Sequence, residues 1–441
     1  MILRLQDSKI TRLFLYLLIL SPLISKLAYG QQEIWAKITA GATRQRISLA
    51  IPNFALPVNC PNDLITKASN IRQITIDDLE FSLFFEITKL DSTKNYSIAD
   101  KKVDFVSWFS TDAQVLIAVD VQTKNKPFLN VRIYDLFTRR LIGTKNYDLD
   151  NESRWLAHRF ADDIIKLLTG ENGVSQSKIV FSLKKGAAKE LAVIDYDGYN
   201  LNQITNSGEL KLFPSWTPNV NKIAYCSYAK SNLNIYTYDL NRNAVDLICG
   251  KDGLNTTPEF SPDGKNIAAS LTINGNPNIY ILSADGKKIN QITFGRAIDI
   301  SPSWSPSGRE LAFVSDRTGS PQIYVINVDG TNLRRLTFEG SYNTSPAWSP
   351  RGDLIAYVSR ESDGKNQIYV TDLTGSNRMH LTNLRNNEEP TWSSDGLHLA
   401  FSSNRSGTYE IYLMHWNGTG QRQITHTDGT FSPSWSPRLA Q

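Results

Sequence analysis

An aromatic residue returns along this chain at one fixed interval. Trp216, Phe260, Trp304, Trp348, Trp392 and Trp435 are spaced 44, 44, 44, 44 and 43 residues apart. Each sits in the same phrase, which reads FPSWTP, TPEFSP, SPSWSP, SPAWSP, EPTWSS and SPSWSP in turn. A period of roughly 40–45 residues belongs to β-propeller blades or to helical arrays. The residues between one phrase and the next decide between them.

In the third copy, Ser305-Pro-Ser-Gly308 is a tight turn, with proline presetting φ and glycine supplying a positive φ. Glu310–Ser315 is an apolar run of strand length, Asp316–Gly319 turns again, and Gln322–Asn327 is a second β-rich run. Val328-Asp-Gly330 is a hairpin signal before a last strand, Leu333–Thr337. Four short strands fill the period and leave no room for a helix. The other copies keep this plan, with Ile-Tyr pairs at 235–236, 279–280, 368–369 and 411–412. Four antiparallel strands repeated radially make a propeller.

The copies also count the blades. Five are complete, and no strand pattern comes after the sixth phrase, Ser432–Pro437. Lys178–Ser182, Glu190–Asp195 and Leu201–Thr205 supply three strands with no aromatic phrase ahead of them. The two fragments complete each other, because an open ring would leave an unpaired edge. The expected fold is an all-β six-bladed β-propeller over 173–441, its ring closed by the C-terminal strand. The repeated Trp and Ile-Tyr positions read as packing residues.

Residues 1–30 read as a secretory signal: Arg4, Lys9 and Arg12, then an apolar run from Leu13, then Ala28-Tyr-Gly30 before Gln31. The remainder carries 43 basic and 42 acidic residues, which gives no support for nucleic-acid binding. Residues 31–172 mix strand and helix patterns and are expected to form a small α/β domain. Helical stretches are read at 62–70 and 77–85, and most clearly at Glu152–Leu168; residues 171–177 read as a linker. Cys226 and Cys249 fall on the second and fourth strands of one blade, too far apart for a disulfide. With Cys60 they read as unpaired thiols.

Catalytic signatures are missing from the sequence: GxSxG, HExxH, P-loop and GxGxxG do not occur. The five histidines, at 158, 380, 398, 415 and 426, do not gather, and only His426 falls in a loop approaching the channel. The loops leading into the innermost strands carry Asn255, Thr256, Asp299, Tyr342, Asn343, Asn387, Glu388, Glu389 and Thr430. These groups suit recognition better than proton transfer. Glu388 and Glu389 read as a solvated loop in preference to a calcium site, and Asp195 and Asp197 as turn residues. No cofactor, metal or catalytic residue is expected. Gln31, Gln32, Glu33, Ile34, Trp35 and Ile38 form either an ordinary N-terminal strand or frayed end, or a short peptide that docks on a partner.

The repeated phrase, the blade count, the signal and the preceding α/β domain together resemble the TolB family of Gram-negative Tol–Pal envelope systems. Two stretches outside the repeat add to the resemblance: Arg154-Trp-Leu-Ala-His158 with Leu167-Leu-Thr-Gly170, and Asp195-Tyr-Asp-Gly-Tyr-Asn200. The resemblance implies a monomeric, non-enzymatic periplasmic protein supporting outer-membrane integrity and constriction at division. It implies a Pal-like peptidoglycan-associated lipoprotein bound at the channel loops named above. It also implies a TolA-like inner-membrane protein engaged by Gln31–Ile38, with no membrane insertion. A propeller hydrolase or lyase acting on oligosaccharides is the competing reading.

Overall fold

A computed structural model describes residues 46–91, 103–123, 126–149, 153–229 and 232–438. The signal reading and the segment Gln31, Gln32, Glu33, Ile34, Trp35 and Ile38 lie outside the described residues. The chain divides into two compact units, residues 1–61 with 79–148, and residues 62–78 with 149–441. The boundary at 172/173 read from the sequence falls inside the second unit.

The first unit is built on one mixed sheet. Its strands are β1 (Ile47–Ala50), β2 (Phe85–Ile87), β3 (Val115–Gln122), β4 (Phe128–Asp135) and β5 (Arg140–Asp148), in the order β2-β1-β3-β4-β5. β1 runs parallel to both β2 and β3, while β3, β4 and β5 form an antiparallel meander.

Helix α1 (Asn62–Phe81) is continuous, where the sequence suggested two stretches. The β-branched run Ile74-Thr75-Ile76 lowers helix propensity. Burial overrides it: Ala68, Ile71, Thr75, Asp78 and Leu79 share one buried face at helical spacing. The short helix α2 (Phe105–Phe109) is anchored by the fully buried Trp108, which packs with Leu116, Ala118 and Tyr134.

In the second unit, helix α3 (Ser153–Thr169) buries Leu156, Phe160, Ile164 and Ile165 and ends at Gly170, whose φ is 75°. The residues after it are not a loose linker. Val174, Ser175, Gln176 and Ser177 are buried, and Asp162 of α3 accepts bonds from Ser175 N (3.0 Å) and Gln176 Nε2 (2.9 Å). Gly173 lies so close to this carboxylate that a Cβ would sit 2.0 Å from Asp162 Oδ1. The polar composition that suggested a linker is the chemistry that fastens it.

Six four-stranded sheets complete the chain. Blades two to six hold strands β9–β28, four to a blade in chain order, over residues 211–249, 255–291, 299–335, 343–380 and 387–423. Blade one joins β6 (Lys178–Lys185), β7 (Ala188–Asp195) and β8 (Asn202–Gln203) to the last strand of the chain, β29 (Thr430–Trp435). Thr430 lies opposite Leu183 and Trp435 opposite Ile179. Ser436 extends the seam by donating its N–H to Lys178 O (2.8 Å) and accepting from Lys178 N at Oγ (2.9 Å).

The repeated aromatics pack between blades and are almost fully buried. Trp348, for example, meets Val314, Val325 and Leu336 of the blade before it. Trp216, Trp304 and Trp392 also donate their indole N–H to the preceding blade, at Ser434 O, Glu259 O and Ala347 O, 2.9–3.0 Å away. Trp435, at the seam, donates to Ser177 Oγ at 2.7 Å. Cys226 and Cys249 both pair with Ile235, on opposite sides of its strand, and all three cysteines are free.

Closure therefore rests on Trp435 more than on its hydrogen bond. Trp435→Ala is expected to destabilise the protein by about 3–5 kcal/mol, and Ser177→Ala by about 1 kcal/mol. Urea unfolding of both variants checks this; equal losses would show that the indole's packing does not secure the seam.

Candidate functional site

The innermost strands surround a central channel, and each is bent in the same place. In every blade the pairing of the first strand with the second breaks after its second residue and resumes at the residue before the aromatic. The centre of each break is the residue that precedes the first proline of the repeated phrase. Those six residues, Phe213, Thr257, Ser301, Ser345, Glu389 and Ser432, all have left-handed backbones, with φ between 49° and 55°. A non-glycine residue with positive φ is strained, and a β-branched one such as Thr257 more so. The sequence varies at this slot while the backbone does not. The six residues and their prolines line a cavity of about 510 Å³.

Two carboxylates face this space. Glu259 accepts from Ser303 Oγ (3.4 Å) and Trp304 N (3.2 Å). Burial outweighs those bonds and pushes its pKa up to about 8. Glu389 accepts from Ser432 N (2.6 Å), Ser432 Oγ (2.8 Å) and Ser402 Oγ (3.3 Å), and burial raises its pKa too. Glu389 thus ties blade six to the neighbouring β29. Glu388 turns the other way, accepting from Asn366 Nδ2 (2.8 Å) and Tyr409 Oη (3.0 Å). The two glutamates are consecutive strand residues on opposite faces, so they are neither a solvated loop nor a convergent pair.

The loop residues chosen from the sequence separate into two groups. Asn255, Asp299, Asn343, Asn387 and Thr430 open their strands and are fully buried. Asn255 Nδ2 donates to Leu233 O (2.9 Å) and Lys251 O (2.7 Å). Asp299 pairs with Arg317 at 3.0 Å. Asn343 Nδ2 reaches Gln322 Oε1 (2.8 Å), and Asn387 Oδ1 accepts from Arg405 Nη2 (2.6 Å). Thr430 Oγ1 meets Thr425 Oγ1 at 3.0 Å. These five hold the loops in place and have no side-chain surface for a partner. A polar residue at a loop end reads alike in sequence whether it faces water or satisfies the loop's own backbone. Thr256, Tyr342 and Glu388 remain partly exposed, with the Arg360 guanidinium 4.1 Å from the centre of the Tyr342 ring.

A second polar centre escaped the sequence reading. His158 of α3 places Nδ1 2.8 Å from Asp78 Oδ2 of α1 and Nε2 3.2 Å from Asp197 Oδ2, in the turn between β7 and β8. Arg154 also pairs with Asp197, and its guanidinium lies 3.3 Å from the centre of the Tyr199 ring. Tyr196, almost wholly buried, donates its hydroxyl to Asp78. Asp197 is therefore more than a turn residue, and Asp195 pairs with Lys178. The two stretches noted outside the repeat, 154–158 and 195–200, are in contact. Only their polar residues at helix spacing signalled it, and spacing cannot say what a helix face meets. Burial disfavours charge on His158, but Asp197 and Asp78 outweigh it and hold its pKa at about 10. Asp197 is kept below the usual carboxylate range, because His158 and Arg154 overcome the effect of its burial.

Residues 165–439 match a family model described as the TolB beta propeller domain, and residues 36–142 match one described as the TolB amino-terminal domain. The Tol-Pal system protein TolB of Cereibacter sphaeroides (strain ATCC 17025) is 30% identical over 250 residues, 55% of either chain. That of a Ruegeria species is 33% identical over 183 residues, 40% of this chain and 42% of the relative. The chain spans about half the length of the curated relatives it matches. The crystal structure of TolB from Acinetobacter baumannii superposes with a TM-score of 0.77 at 25% identity, covering 89% of this chain and 97% of that one.

The His158 centre makes a pH-dependent contribution. Its pKa is higher in the folded chain than the ordinary 6.5, so its stabilisation is complete below pH 6.5 and is lost as pH rises towards about 10. His158→Gln is expected to lower the melting temperature at pH 6.5 and to flatten its decline between pH 6.5 and 10. Thermal unfolding across that range checks it; an unchanged slope would show that His158 does not titrate in that window.

Proposed function

Since the chain belongs to the TolB family, we propose that it acts as a non-enzymatic interaction protein of a Tol–Pal system in the periplasm. One end of the channel receives a Pal-like peptidoglycan-associated lipoprotein, and the segment Gln31–Ile38 engages a TolA-like inner-membrane protein. Through these contacts the protein supports outer-membrane integrity and constriction at division.

The observation that carries this reading is the character of the rim. The loops between blades carry exposed Phe294, Phe338 and Leu384 and partly exposed Tyr342, and the strand that follows the Leu384 loop carries partly exposed Glu388. Aromatic and apolar groups beside hydrogen-bonding ones form the composition of a protein-binding patch. The half-buried Glu259 and Glu389 are partnered by serine hydroxyls and backbone N–H groups, which suits structure and recognition. Among the described residues, no helix is long and apolar enough to cross a membrane.

A pull-down with a purified Pal-like lipoprotein tests the proposal. Tyr342→Ala with Glu388→Lys is expected to weaken capture at least about tenfold, as loss of central interface residues does. Glu389 is left intact because it holds β29 against blade six. Unchanged capture would move the site off this rim, and turnover of a glycan by the purified chain would overturn the non-enzymatic reading.

A further inference from the structure

The first unit carries an open sheet edge beside an apolar patch, and the proposed Tol–Pal contacts use neither. Strand β5 pairs with β4 on one side, and among the described residues no strand pairs with the other. Seven of its nine residues are exposed, and only Tyr147 is buried. An edge with unpaired N–H and C=O groups is a template for an added strand.

The patch lies at one end of that edge. Phe137 in the β4–β5 turn is 85% exposed, and Phe109 of α2 is 61% exposed. Val106 and Leu141 are exposed as well. Two contacts link this end of the edge to α2. Arg139, in the same turn as Phe137, places its guanidinium 5.7 Å from the Phe109 ring centre. Leu141 sits opposite Tyr134, whose ring meets Phe105 of α2 at 5.9 Å.

The groups are also held in place. Asp135 Oδ1 accepts from Thr138 N (2.7 Å), Arg139 closes the turn with φ 56°, and Asp104 caps α2 by accepting from Val106 N (3.1 Å). Charge on an edge can serve only to keep other strands away. Two exposed phenylalanines fastened beside it do not serve that end, and aromatic groups with arginine are the usual anchors of an interface.

Charge selects the occupant. Arg139 and Arg140 stand at the patch and Lys145 lies along the strand, against Asp148 at the far end. Of the chain's own segments outside the described residues, 1–30, 31–45 and 92–102 all carry net positive charge, and the acidic 150–152 is only three residues long. A second copy would bring the same positive charge. We infer that the β5 edge, with Phe109, Phe137 and Leu141 at its end, receives an extended acidic peptide of a partner protein by strand addition. Main-chain bonds to β5 supply the register, the aromatic pair takes an apolar side chain, and Arg139 and Arg140 read the acidic residues.

The test uses the full chain and a labelled, acetylated nonapeptide alternating Glu with Val and Ile. Its Lys counterpart and a version with a central Pro are controls. Binding is followed by fluorescence anisotropy and by amide hydrogen exchange. Saturable binding of the Glu peptide is expected, with slowed exchange in residues 140–146 and failure of the Pro version. Arg139→Glu with Arg140→Glu is expected to weaken it about tenfold and to transfer preference to the Lys peptide. Phe109→Ser with Phe137→Ser, both exposed and so compatible with folding, is expected to weaken either peptide. Equal binding of Glu and Lys peptides by the unaltered chain, or protection elsewhere, would overturn the proposal. So would a concentration-dependent dimer in light scattering that protects β5 without peptide.

Discussion

The propeller depends on one strand pairing, that of β29 with β6. Each other blade is assembled from neighbouring strands in one stretch of chain. Blade one alone is made from residues some 250 positions apart. Without that pairing the ring has two free ends, and each exposes an edge and an apolar blade face. The seam is correspondingly well furnished: Trp435 reaches Ser177 and Ser436 pairs with Lys178, while Glu389 of blade six holds β29 at Ser432.

The ring also explains why six residues of unrelated chemistry share a strained backbone. The bulge ahead of each proline bends the innermost strand around the channel. The strain is held by packing on both sides, since each blade's aromatic is wedged against the blade before it. A phenylalanine, a glutamate or a serine serves equally well at the slot, because the surrounding sheet dictates the conformation. The chemistry presented to the channel can thereby vary while the ring keeps its bend.

Much of this was legible in the residues themselves. Strand and turn patterns within each period are local, so their repetition set the fold class, the blade count and the closing strand. Helix α3 was legible for the same reason, its apolar residues lying on one face. The site was less legible. Asn255, Asp299, Asn343, Asn387 and Thr430 look like recognition groups in sequence, yet the fold turns them inward, the asparagines onto loop backbone and Asp299 and Thr430 onto other side chains. Residues 171–177 look like a linker, yet Asp162 fastens them. In each case polarity was read correctly, and its partner was the protein.

The period of the aromatics, with the three strands at 178–205 that lack one, determined that this chain closes into six blades, because spacing fixes which strands are equivalent and which copy is incomplete. Only the tertiary structure decided which polar residues meet. Asp78, His158 and Asp197 come from a helix, a second helix and a hairpin turn, separated by 80 and 39 positions. No local pattern links them. Folding brings them into one buried centre, where a charge is stable only if its counter-charges arrive with it.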